Sequence, residues 1–167
     1  MNWEAITAIT EIFGVLAVIA SLLYIGNQTK QSNDHATASS EVEWINSWNQ
    51  ILNSWVSDER TTIVLQKGFE SFRNLTNPEK ALFHIRIGAM VNHWLLAKKL
   101  DEKALISKDI LKESTKVLLS TLTTQGGYEY IEHDWKLFPG GAELWDSVNS
   151  AKGNMPTLTE MLPWWKE

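Results

Sequence analysis

The sequence predicts an all-α protein in which a single N-terminal transmembrane helix is followed by a small helical bundle domain. Three observations predict it. Residues 5–26, AITAITEIFGVLAVIASLLYIG, form an apolar run without Lys, Arg or Pro. Apolar residues then recur at i, i+3, i+4, i+7 spacing through most of the remaining chain. Helix-start sequences precede these runs, and no segment alternates with the period of two that a strand requires. The expected divisions are a transmembrane anchor at 1–26, a juxtamembrane helix or linker at 27–40, a helical bundle at 41–150 and a Trp-rich tail at 151–167.

The apolar run has the length a membrane crossing needs, since about 20 residues span the roughly 30 Å of hydrocarbon. Eleven of its residues are Leu, Ile, Val or Phe, together worth about −3 to −7 kcal/mol on insertion scales. Glu11 is the one ionisable residue and sits off-centre, where its cost of a few kcal/mol is reduced. The sum favours insertion. An uncleaved anchor is expected over a signal peptide, because Glu4 and Glu11 stand where a basic n-region belongs and no small-x-small site follows. Trp3 and Tyr24 occupy the two interfacial positions of such a span. Lys30, the basic residue nearest the run, places the rest of the chain in the cytoplasm by the positive-inside rule. Within the span, Thr7, Thr10, Gly14, Ala17 and Ser21 recur at alternating spacings of three and four, a small-residue stripe suited to helix packing in lipid.

Composition narrows the partners. The 167 residues leave enough chain beyond the anchor for one domain with a core. The formal net charge is −5 with no basic cluster, which argues against nucleic acid as a partner. There is no cysteine, so disulfides, thiolate catalysis and cysteine metal sites are excluded. Nine tryptophans suit cores, interfaces and membrane boundaries alike.

The elements follow in order. Residues 27–40 are polar but lack Pro and Gly, which favours a continued helix. Trp44, Ile45, Trp48, Ile51, Leu52, Trp55 and Val56 define an amphipathic helix ending near Ser57. Asp58 is a good N-cap for a second helix reaching about Phe72, with Ile63, Val64, Phe69 and Phe72 inward. Asn77-Pro78-Glu79 combines cap, first-turn proline and acid, and opens the longest helix of the bundle, to about Leu100. Ser107 or Asp109 caps a fourth helix through Leu122. Gly126-Gly127 is expected to break it. A short helix from Tyr128 to Leu137 and another around Leu144, Trp145 and Val148 follow.

The N-terminal residues Trp3-Glu4-Ala5-Ile6, Glu11, Gly14, Ala17-Val18, Ser21-Leu22, Tyr24 and Gln28…Gln31-Ser32-Asn33 resemble a group of uncharacterised bacterial proteins. Pro78-Glu79 and the Gly126-Gly127 pair followed by Trp135 are similar too. In that group an N-terminal membrane helix precedes a helical domain. The resemblance implies a bacterial protein of the inner membrane, and it brings no catalytic residue or cofactor with it.

Chemistry-bearing patterns are few. There is no HExxH, no paired ExxH, no nucleophile elbow and no phosphate loop. Glu129 and His133, at i and i+4 with Glu132 and Asp134 beside them, form the densest ionisable cluster; it reads either as a metal or proton site or as a solvated face. His84 and His93, nine residues apart on one helix, point in opposite directions and cannot share a ligand. Trp164 and Trp165 are available to the membrane interface, to a partner or to the protein's own core. No catalytic, cofactor or metal set is expected. The features predict a non-enzymatic, membrane-anchored interaction protein that self-associates or serves as an accessory subunit of a membrane complex. The alternative is a channel- or transport-forming oligomer with Glu11 lining a polar ring.

Overall fold

The computed structural model describes residues 3–161, and they are all helical or connecting segments, without a strand. The order is α1 Trp3–Trp55, α2 Glu59–Glu70, α3 Asn77–Glu102, α4 Lys108–Leu122 and α5 Gln125–Asp134. A 3-10 turn at Trp135–Leu137, α6 Gly141–Ala151 and α7 Leu158–Met161 complete it. The chain divides into two compact units, Met1–Ser39 and Ser40–Glu167.

In the first unit α1 is apolar on every side: Ile12, Phe13, Val15, Leu16, Val18, Ile19, Leu22, Leu23 and Ile25 are all exposed. An 18-residue window has mean hydropathy 1.6 and no part of it is buried, so this helix is long and apolar enough to cross a membrane. Two of its hydroxyls bond within the helix, Ser21 Oγ donating to the Ala17 carbonyl at 2.8 Å and Thr29 Oγ1 to that of Ile25 at 2.9 Å. Residues 27–40 are helical throughout.

The second unit packs around α3, which lies against both α2 and α4, while α5 bridges α2 and α4. Local chemistry starts these helices where the sequence places them. Asp58 accepts a hydrogen bond from Thr61 N at 2.9 Å and caps α2. The α3 cap is Thr76, one residue before Asn77; its backbone N–H donates to the Glu79 carboxylate at 2.8 Å in a capping box, with Pro78 in the first turn. Ser107 caps α4, and Glu41 on α1 accepts from its backbone N–H at 2.8 Å. The core holds Leu65, Phe69, Phe83, Ile87, Met90, Val91, Leu118, Leu122, Tyr130, Ile131, Leu144 and Val148, each about fully buried. Phe69, Phe83 and Tyr130 meet edge to face at 5.4 and 5.7 Å, the favoured arrangement for ring quadrupoles.

Two expectations are corrected. Gly126-Gly127 does not break a helix: Thr124 is the N-cap of α5, accepting from Gly127 N at 3.1 Å, and both glycines lie in the first turn. Gly126 is there because α5 crosses α2 at its backbone, where a Cβ would land on the Gly68 carbonyl, and Gly127 because a Cβ would fall against the Thr121 carbonyl oxygen at the end of α4. The apolar residues of α1 beyond Glu41 also form two faces, not one. Trp44 and Trp55 are buried and Trp48 and Ile51 partly so, whereas Val42, Ile45 and Leu52 are exposed, as is Val56 one residue past the helix end.

Candidate functional site

The chemistry of the second unit collects in a cleft of about 580 Å³ lined by Phe72, Arg73, Lys80, Ala81, His84, Glu129, Glu132, His133 and Asp134. That volume falls in the range of small-molecule sites. Three elements build it. The connection from α2 to α3 supplies Phe72 and Arg73, the first turns of α3 supply Lys80 and His84, and α5 supplies the acids.

Glu129 points at the end of α2, accepting from Arg73 N at 2.9 Å and from Ser71 Oγ at 3.1 Å. Partial burial pushes its pKa up, but these hydrogen bonds, with Gln125 and the Arg73 charge, outweigh it and hold the carboxyl below its ordinary value. Glu132 pairs with the Arg73 guanidinium at 3.0 Å. Asp134 is buried and stands between two imidazoles, Oδ2 at 3.0 Å from His84 Nδ1 and Oδ1 at 2.5 Å from His133 Nδ1. A carboxylate has no proton to give, so His84 donates from Nδ1, and the Tyr130 hydroxyl oxygen at 3.2 Å shares that N–H. Burial and the Asp134 charge push the Tyr130 phenol well above its ordinary pKa and keep it protonated. In neutral His84 the lone pair is therefore on Nε2. The arrangement is a carboxylate-oriented imidazole in a half-open cleft of mixed charge, suited to hydrogen-bonding a ligand or holding a proton.

The sequence-level cluster is thus separated by the fold. Glu129 and His133 do not converge: one serves the end of α2, the other Asp134. Among the described residues no three His, Asp or Glu side chains are placed to share a metal ion. His84 and Arg73 line the cleft, with the buried Tyr130 hydroxyl behind His84, and none was indicated by spacing, since His84 meets Asp134 across 50 residues of sequence. His93 lies apart, buried at 6% exposure and stacked on Trp44 and Trp48 at 4.5 and 5.5 Å. Burial lowers its pKa, a backbone hydrogen bond at Trp44 opposing the shift in part.

Along the first unit, Trp3, Glu11, Gly14, Ala17, Ser21 and Tyr24 are all exposed on α1, and a Cβ on Gly14 would touch nothing within 4 Å. Thr7 and Thr10 lie on α1, but their side chains, like Trp164 and Trp165, fall outside the described residues. No family model, no curated protein and no solved structure matches this chain.

Proposed function

We propose that this chain is a membrane-anchored helical interaction protein, in which α1 holds a small helical bundle on a bacterial inner membrane. One observation carries the reading: a window of α1 with mean hydropathy 1.6 has none of its surface covered. A helix that is apolar on all sides is stable only in apolar surroundings, and the described residues 12–25 all lie exposed. Lipid supplies such surroundings. The resemblance to bacterial proteins with an N-terminal membrane helix supports the same assignment, and Lys30 supports a cytoplasmic position for the bundle. The interaction role rests on surfaces: the small-residue stripe through Gly14, Ala17 and Ser21 for self-association or for docking in a larger membrane complex, and the cleft around His84 for a ligand or partner segment.

The test is extraction. Membranes from cells expressing the full chain, washed in alkaline carbonate, should retain the protein until detergent is added. A cytoplasmic reporter fused after Glu167 should be active. Release into the carbonate supernatant would refute the anchor, and activity of a periplasmic reporter would refute the orientation.

A further inference from the structure

The exposed apolar residues of α1 beyond the anchor are not scattered. Val42, Ile45 and Leu52 on α1 and Val56 one residue past its end, at 57, 45, 38 and 61% exposure, stand at spacings that become three, four, three and four once Asn49 is counted. That is a seven-residue repeat with Val42, Asn49 and Val56 at a and Ile45 and Leu52 at d, the seam of a coiled coil. It is separate from the face α1 turns to its own core: Trp44, Trp48, Ile51 and Trp55 lie about 110° away round the helix, at about 100° per residue. One face is filled from within the chain, and the other is left bare.

We infer that this seam binds the same seam of a second copy, forming a parallel, in-register two-stranded pair along α1. Asn49 decides the occupant. An apolar partner would bury its carboxamide unsatisfied, whereas in a parallel pair each Asn49 faces the other, one N–H donating to the opposite C=O. The sequence numbering decides the register. Carried toward the N-terminus, the same repeat places Gln28, Gln31, His35 and Ala38 at a and d, and before them Thr7, Thr10, Gly14, Ala17, Ser21 and Tyr24. No Lys, Arg, Asp or Glu occupies any a or d position from 7 to 56, although Glu11, Lys30, Asp34, Glu41 and Glu43 all fall in that stretch. Only a copy in register aligns small residue with small residue and carboxamide with carboxamide at every level. A strict seven-residue repeat drifts about 20° per heptad on a straight helix, which a left-handed supercoil absorbs. The inference rests on the anchored reading in one respect: anchoring both copies in one bilayer makes them parallel.

The chain has no cysteine, so single-cysteine variants report directly. In isolated membranes under mild oxidation, Val42→Cys, Ile45→Cys, Asn49→Cys and Leu52→Cys should each give a disulfide-linked dimer. Yield should be about ten-fold above that of the exposed off-seam variants Glu43→Cys and Gln50→Cys, because a disulfide needs Cβ atoms about 4 Å apart. Equal yields on and off the seam, or no dimer at any position, would overturn the seam; a dimer at Asn49→Cys without one at Val42→Cys would overturn the parallel order. In detergent the native particle should hold two copies, and Asn49→Val should admit three or more, since a polar a residue fixes strand number. A native particle of one copy, or of three or more, would also overturn the seam. Carbonate washing of the same membranes keeps the readings apart: a chain that washes off yet shows the on-seam pattern sinks the anchor alone, and one that stays without crosslinking sinks the seam alone.

Discussion

The crossing of α5 over α2 can be tested by adding one methyl group. In Gly126→Ala the new Cβ would fall on the Gly68 carbonyl oxygen and lie 2.8 Å from Gly68 C and 2.9 Å from Phe72 N. All three are backbone atoms, so no side-chain rotation relieves the clash. Ordinary carbon contacts lie at about 3.5–4.0 Å, and α5 must back away from α2 to restore them. Overpacking of this kind costs about 1–3 kcal/mol, with the upper end expected where backbone must move; the better helix propensity of Ala returns about 1 kcal/mol. A net loss of about 2 kcal/mol corresponds to a fall in Tm of roughly 5–10 °C for a domain of this size. Gly88→Ala is the matched control. Its Cβ would meet the Phe138 ring and the Tyr130 hydroxyl at 3.8 Å, ordinary contact distance, so the propensity gain should raise Tm by a few degrees. The assay is thermal melting of the detergent-solubilised full chain, followed by near-ultraviolet circular dichroism of the packed tryptophans. If Gly126→Ala melts at or above the native chain, the close approach of α2 and α5 is wrong.

Two further outcomes are expected. His93 has its pKa lowered from the ordinary 6.5 by burial, so as pH falls below 6.5 the unfolded chain takes up a proton the folded chain refuses; stability is fully present above that pH, declines below it, and the slope should be absent in His93→Gln when Tm is followed between pH 8 and 5. In the membrane, Glu11→Gln should preserve oligomerisation in crosslinking, because the amide still donates and accepts across the interface, whereas Glu11→Leu should weaken it; loss in both variants, or in neither, would contradict an inter-helix hydrogen bond at Glu11.

Much of the helix plan was legible because helix starts are local. Asp58 and Thr76-Asn77-Pro78-Glu79 act within three or four residues, and the caps, with Ser107 at the start of α4, stand at or next to where they are read. What was not legible depends on residues far apart in sequence. Gly126-Gly127 has the composition of a break, and only the backbone of α2 beneath Gly126 and the end of α4 beside Gly127 explain why glycine stands inside a helix. The cleft is similar: Glu129, Glu132 and Asp134 look like one acidic face of α5, but the two glutamates are turned to Arg73 in the segment after α2 and Asp134 to His84 on α3 and His133 beside it. The repeat through Val42, Ile45 and Leu52 is plain in the sequence, yet spacing alone merges it with the tryptophan face, because only burial separates a filled side from a bare one.

Glu129 has a consequence for the order in which the chain folds. The segment that ends α2 is held by a carboxylate 56 residues downstream, bound to Arg73 N, with the Ser71 hydroxyl bound to the same oxygen. Until α5 has docked, those groups have only water to bond, so the segment after α2 stays open while the cap-held first turn of α2 is already formed. Amide exchange should record this as a difference between α2 and the segment after it, with protection at Arg73 arriving only when α5 closes over it and leaving first when α5 lifts.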